Sequence, residues 1–419
     1  MIISFIIFLL CGMPVAFAMA ISGSLALFGL EGVNLVLVPQ RAFTSLNSFP
    51  LLAVPFFILA GEIMNAGGIT RRVIRFANAI LGTVRGSLAQ VNILASMIMA
   101  GFSGSATADA VAIGGILIPN MIEEGYPKNH TVGITASSAC IGPIIPPSGV
   151  MALYGGITGI SIGKLFIAGI IPGVLIGLAL MFVVYFYARK YNWPRGKRSS
   201  WKEKFSAFLD SFWALIAPVI ILGGIITGVV TATEAGVVTV VYAFIVGTFI
   251  YKEISLSQIP KILSKVAVDM AIPVIIISLA AIFGWVLARE NFAALLVSLL
   301  TKFSENPQII YLEIVAMFFV IGLFIEGTAA LLIFVPILFP LAAQLGFDQI
   351  HFALVVMIMT LIGTVTPPVG LQLYIAASIA KIPISEAKVW PYVSAMLIVV
   401  LLTIFVPSLI TYLPSVIFR

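Results

Sequence analysis

Apolar runs of about 20 residues, long enough to cross a roughly 30 Å hydrocarbon core, recur along nearly the whole of this chain. Only 9% of its 419 residues are charged, and the mean hydropathy is +1.19. A soluble domain carries roughly 25% charged residues, and no polar stretch here is long enough to fold as one. The expected fold class is therefore an all-α polytopic membrane protein. The first run starts at Met1-Ile2-Ile3 with no basic n-region and no small-residue cleavage site, so it reads as a retained helix, not a signal peptide. Cys11 and Cys140 lie in apolar segments and make neither a disulfide framework nor a CxxC pair. The net charge of +6 is a topology signal in such a chain and says nothing of nucleic acid.

Crossing helices are expected near 2–29, 50–66, 129–158, 163–191, 211–231, 235–251, 267–288, 350–381 and 391–413. Two further apolar stretches, 87–122 and 308–345, carry a polar break in the middle: Ser103-Gly104-Ser105 in one and Glu326-Gly327-Thr328 in the other. An arm of about 16 residues rises roughly 24 Å, so each stretch predicts a re-entrant hairpin that enters and leaves on one side. Segments Ile69–Leu81 (with Arg71, Arg72 and Arg75), 202–209 and 256–265 have apolar and charged faces and suit helices in the interface. Five crossings lie between the hairpins, which places them on opposite sides of the membrane. On that reading 17 of the 22 Lys and Arg fall on the side of the first hairpin, among them Arg189, Lys190, Arg195, Lys197, Arg198, Lys202 and Lys204. The positive-inside rule makes that side cytoplasmic.

The two halves repeat. Leu117-Ile118-Pro119 and Gly125-Tyr126 match Leu338-Phe339-Pro340 and Gly346-Phe347, and Ile141-Gly142 with Pro146-Pro147-Ser148-Gly149 match Ile362-Gly363 with Pro367-Pro368-Val369-Gly370. The offset is 221 throughout, and it places Ser105 on Glu326 and Thr107 on Thr328. The expected organisation is a first inverted repeat over 1–191, a cytoplasmic basic linker over 192–210, and a second inverted repeat over 211–419. Repeats of opposite orientation with binding at the midplane are a secondary-transporter architecture.

Proline removes a backbone donor, so 142–149 and 363–370 should be unwound. Unwound backbone at membrane depth is tolerated where protein buries it or where it lines a cavity, and its carbonyls are hard oxygen ligands. Ser103, Ser105, Thr107 and Asp109, with Glu326, Thr328, Thr364 and Thr366, supply further oxygens. An oxygen-only set suits an alkali or alkaline-earth cation, and the half-helix N-termini after each break favour a carboxylate. Plainer readings stand beside these. Gly-Pro kinks can be purely structural, and a hydroxyl can bond back to its own helix. Glu62, Asp269 and Glu313 fall near helix ends, where snorkelling suffices. Asp109 resists the plain reading, because an ionisable group in a membrane segment costs about 2.5–3.5 kcal/mol. Gly101-Phe102-Ser103-Gly104 reads as GxSG, but a serine hydrolase needs a general base, and His130 and His351 both fall outside the hairpin core. A channel built on re-entrant hairpins would more naturally place its symmetry around a pore.

The stretch from Gly101 to Asp109, the Pro146-Pro147-Ser148 break, Gly327-Thr328-Ala329-Ala330, Thr366-Pro367-Pro368-Val369-Gly370, and Ser48-Phe49-Pro50 through Gly61-Glu62 resemble the large membrane subunit of tripartite ATP-independent periplasmic (TRAP) transporters, over essentially the whole chain. The resemblance implies an elevator-type member of the ion-transporter superfamily that imports organic acids, sialic acid or C4-dicarboxylates, driven by Na+, in a bacterial inner membrane. It implies two partners, a small four-helix membrane subunit and a periplasmic substrate-binding protein. No small-subunit segment precedes Met1, so that subunit is expected as a separate polypeptide. Carried over by position, Ser103, Ser105 and Asp109 with Gly142 and Pro146 of the first break would hold one sodium. Glu326, Gly327 and Thr328 with Thr364 and Thr366 would hold another, and Ser105, Thr107, Pro147, Ser148 and Pro368 would meet the substrate. Glu326 departs from the family, where Asp is commoner. A stand-alone sodium/carboxylate symporter of similar fold is the alternative.

Overall fold

Helices in this protein stop where the sequence withdraws a backbone donor or supplies a cap. The computed structural model describes residues 1–30, 33–196, 198–292, 295 and 306–418; Lys197, one charge of the basic stretch, lies outside them. In chain order the described helices are α1 (Ile2–Leu10), α2 (Val15–Leu27), α3 (Leu37–Thr44), α4 (Ala53–Ala66), α5 (Ile69–Leu81), α6 (Ser87–Ser103), α7 (Ala106–Glu123), α8 (Lys128–Ala139), α9 (Gly149–Thr158) and α10 (Ile162–Lys190). They continue as α11 (Trp201–Ile226), α12 (Ala232–Ile245), α13 (Ile259–Arg289), α14 (Pro307–Phe324), α15 (Gly327–Gln344), α16 (Gln349–Gly363), α17 (Leu371–Ala380), α18 (Trp390–Phe405) and α19 (Ser408–Ile417). Among the described residues seven stretches are each long and apolar enough to cross a membrane: Phe49–Ala66, α10, α11, Ala232–Ile250, Leu256–Arg289, α14 and α15.

Each polar-centred stretch is two helices joined at its polar tip, α6 to α7 and α14 to α15, and α7 and α15 occupy positions related by the offset of 221. Residues 129–158 and 350–381 are each two short helices, α8 with α9 and α16 with α17, separated at the Gly and Pro-Pro positions. Three expectations need correction. The crossing expected over 2–29 is two helices, because Gly12 takes φ +80 and Pro14 caps α2. The crossing over 391–413 is bent by 60° between α18 and α19, at Pro407. The segments 202–209 and 256–265 are not separate interfacial helices: the first lies in the opening turns of α11, and the second is a 3-10 turn, Leu256–Gln258, that runs into the opening turns of α13. At 26 and 31 residues, these helices run to roughly 39 and 46 Å, longer than the hydrocarbon core, so their charged starts extend beyond it. The Ser200–Glu203 capping box fixes where α11 begins. α3 was not expected; it packs on α13, where Ser278 donates to the Ala42 carbonyl at 3.0 Å.

The broken helices sit at the centre. Residues 130–139 of α8 and 351–363 of α16 are buried on every side, as befits helices with no solvent or lipid face. α10 and α18 pack around them, the hairpins flank them, and α2 with α13 and α4 with α12 form outer pairs. Each outer pair joins a helix of one half to a helix of the other. At the centre the Cys140 thiol donates to the Leu361 carbonyl at 3.3 Å, a contact between positions 221 apart.

Close approach of α14 to α16 depends on glycine. A Cβ at Gly363 would stand 2.7 Å from the Gly322 Cα and 2.6 Å from the Phe319 carbonyl oxygen. Gly363→Ala should therefore destabilise the protein by about 1–3 kcal/mol. Gly115 on α7 has nothing within 4 Å of such a Cβ, and Gly115→Ala should be neutral or stabilising by about 0.5–1 kcal/mol. Thermal unfolding of the purified variants checks the contrast, and equal shifts would contradict the packing.

Candidate functional site

The first hairpin turns at Gly104, which takes φ +56, a left-handed conformation that favours glycine. A Cβ there would stand 2.9 Å from the Gly149 nitrogen and 3.1 Å from the Ser148 Cα, so the tip lies directly on the first break. Ser105 is extended and caps α7, its hydroxyl oxygen accepting from the Ala108 N–H at 3.3 Å. Ser148, fully buried, does the same for α9, accepting from the Met151 N–H at 3.2 Å. Both N-caps satisfy donors that the start of a helix leaves open.

Asp109 lies in the first turn of α7 and is 1% exposed. Its Oδ1 accepts the Ser103 hydroxyl at 2.5 Å, and its Oδ2 is buried with no hydrogen-bond partner. A side chain at Gly142 would collide with that Oδ2. Ser103, Asp109 and the entrance of the break thus meet, with Ser105 and Thr107 beside them on the tip. Among the described residues the ion pairs are Arg72–Asp210, Arg72–Glu253, Arg75–Asp210 and Lys265–Glu62; Asp109 is in none. Asp109 is thus a buried carboxylate with one oxygen unmet, in the first turn of α7 where the helix dipole favours its negative charge.

The second half is arranged differently. Glu326 caps α15, its Oε2 accepting from the Ala329 N–H at 2.9 Å and its Oε1 from the Thr328 hydroxyl at 3.1 Å. Both oxygens are engaged on their own tip. Gly327 leans on α16, where a Cβ would stand 3.3 Å from Leu361 and 3.7 Å from Thr364. The Thr364 and Thr366 hydroxyls donate to their own helix, to Leu361 at 2.7 Å and Ile362 at 2.8 Å, leaving oxygen lone pairs as their free chemistry. Thr328 lines a cavity of about 10 Å³ with Tyr154 and Val150 of α9. The breaks are also covered unequally. Pro147 and Ser148 are buried, whereas Pro368 is exposed and Val369 is 47% exposed. Val369 stands where the first half has Ser148 and brings no hydroxyl; Gly370, at φ +54, precedes α17 instead.

Two contacts at the site were not read from the sequence. A Cβ at Gly61 on α4 would stand 3.0 Å from the Phe102 carbonyl oxygen, so α4 approaches the first tip backbone to backbone. Gln372, in the first turn of α17, holds a buried Oε1 with no partner. The signal for it was an amide inside an apolar helix just past the break. The GxSG serine has no histidine beside it: His130 and His351 are held to Tyr392 and Tyr311, each at 2.9 Å, and the Ser103 hydroxyl is given to Asp109.

Residues 2–409 match the family described as the tripartite ATP-independent periplasmic transporter, DctM component. The chain is 36% identical to the sialic acid TRAP transporter large permease protein SiaM of Vibrio cholerae, covering 97% of this chain and 96% of that one. It is 33% identical to the C4-dicarboxylate TRAP transporter large permease protein DctM of Rhodobacter capsulatus, covering 97% and 96%. The fold is similar to the solved structure of Neisseria gonorrhoeae MtrF, with a TM-score of 0.61 and 16% identity over 98% of this chain and 93% of that one. On these matches the chain belongs to the DctM family of TRAP transporter large permeases, and it is an inner-membrane transport protein, not an enzyme.

Proposed function

We propose that this chain is the large membrane subunit of a sodium-coupled importer of an organic acid of the sialic acid or C4-dicarboxylate class, working by an elevator movement. The observation that carries the coupling is the unmet Oδ2 of Asp109, beside Ser103 and against Gly142. The first sodium would be held by Ser103, Ser105 and Asp109, with carbonyls of Gly142 and Pro146. The second would be held by Glu326, Gly327 and Thr328 of the tip with Thr364 and Thr366, where Glu326 would first release its cap. The substrate carboxylate would lie between the tips, at Ser105, Thr107, Pro147, Ser148 and Pro368. Hairpins and broken helices at one offset, outer pairs that each join both halves, and the Cys140–Leu361 contact support two inverted repeats.

As the tripartite name of the family says, the chain would work with a small membrane subunit of four helices and a periplasmic binding protein that delivers substrate. Reconstitution tests the proposal. The three components in liposomes should take up the binding protein's ligand when a sodium gradient is imposed, and should be silent when potassium replaces sodium. The chain alone should transport nothing measurable. Full uptake in potassium would remove the coupling, and saturable uptake by the chain alone would leave the stand-alone symporter in its place.

A further inference from the structure

The end of α10 gathers positive charge that forms no ion pair among the described residues. Arg189 and Lys190 close the helix, and Arg195 follows on a short segment locked in place by Trp193. That indole is 3% exposed and packs against Tyr126 and His130 at 5.6 and 5.3 Å between ring centroids. An isolated antiparallel bridge holds Arg195 beside Arg85, in the loop that leads into the first hairpin, and the Gly86 N–H donates to the Pro194 carbonyl at 2.9 Å. The Arg85 guanidinium bonds only a neutral amide, Asn192, at 2.7 Å. None of these four cations takes part in any ion pair among the described residues. By contrast, Arg72, Arg75 and Lys265 all have carboxylate partners.

An apolar track runs up to this rim. Phe182 is 72% and Phe186 59% exposed, one turn apart on the face of α10 that reaches Arg189 and Lys190. Phe182, Tyr185, Phe186, Arg189 and Lys190 line a single concavity of about 440 Å³. The Arg189 guanidinium lies over the Tyr185 ring at 4.8 Å, which draws the charge back toward the track. Aromatic side chains under a cluster of Arg and Lys at the end of a crossing helix match a lipid at both ends, phosphate above and acyl chain below.

We infer that this rim binds the phosphate headgroup of an anionic membrane phospholipid, with an acyl chain along Phe182 and Phe186. The phosphate meets Arg189 and Lys190, the two cations that line the concavity. The inference rests on charge, exposure and membrane location, and stands apart from the transport reading.

Native mass spectrometry of the full chain in detergent, titrated with phosphatidylglycerol and with phosphatidylcholine, tests it. Phosphatidylglycerol should bind in preference. Each basic group near an anionic surface contributes about fivefold, so Arg189→Gln with Lys190→Gln should reduce the preference about 25-fold. Lys252→Gln with Lys261→Gln removes the same charge elsewhere and should change it less than twofold. An equal loss in both double variants would reduce the effect to net charge and overturn the inference. So would displacement of the lipid by millimolar glycerol phosphate, which would make the rim a site for soluble anions. A Cys at position 186, in a background lacking Cys11 and Cys140, should be reached by a lipid-borne thiol probe both in the chain alone and in the assembled transporter. Protection by the partner subunit would make this face a protein interface instead.

Discussion

Asp109→Asn should abolish sodium-driven uptake, by at least about a hundredfold, and at the same time raise the melting temperature of the sodium-free protein. The two effects share one cause. Holding a carboxylate at membrane depth costs about 2.5–3.5 kcal/mol, and at Asp109 the Ser103 hydroxyl and the N-terminal end of α7 offset only part of it. The amide removes the charge and relieves the empty protein. It also removes what a cation would bind. Wild-type protein should gain stability on adding sodium, about 2.7 kcal/mol at a hundred times the dissociation constant, whereas the variant should gain little from this site. Melting curves with and without sodium, beside uptake in liposomes, check both halves. A variant that loses stability without sodium and keeps its sodium response would return Asp109 to a structural role.

Gly142→Ala should weaken sodium dependence through the same carboxylate. The added methyl group meets Asp109 Oδ2, and the side chain must turn from the break to avoid it. A displaced ligand corresponds to about 1.4 kcal/mol or more of lost binding, so the sodium concentration for half-maximal uptake should rise at least about tenfold. The decisive comparison is the double variant. In the Asp109→Asn background Gly142→Ala should add almost nothing to the loss of sodium response, since neighbours acting through one interaction are not additive. Additive losses would mean that the glycine serves helix packing alone.

Local chemistry made the hairpins and breaks legible. A polar tip inside an apolar run, or Pro-Pro after Gly, stands out against a helical background, and α7 and α15 fall where the offset puts them. The bend at Gly12-Met13-Pro14 was harder to see. Its neighbours are so apolar that the run still averages as one span. The joining of 202–209 to the following crossing was also hidden. Lys202, Glu203, Lys204 and Asp210 look like a boundary, yet no Gly or Pro stops the helix before Ile226. At the site spacing put Ser103 and Asp109 on one tip, while Gly142 beside them followed only from the family resemblance. The orientation of the Thr364 and Thr366 hydroxyls could not be read, since one rotamer bonds the helix and another faces a ligand. Glu326 was ambiguous for the same reason, having a side chain long enough to fold back onto its own N–H groups.

That folding back bears on the return stroke of an empty carrier. Ser105, Ser148 and Glu326 each close the helix start they precede, so three helix ends at membrane depth have a donor satisfied with nothing bound. On the proposed elevator movement, an unladen molecule would therefore carry fewer raw dipoles across the bilayer. The Asp109 Oδ2 is the charged exception, a carboxylate oxygen with no hydrogen-bond partner. On that proposal a return without sodium would be opposed at this atom, while a return with sodium but no cargo would not. Leakage of the ion gradient would then have to be prevented elsewhere, and the exposed Pro368 and Val369 lie on the break where closure would depend on cargo.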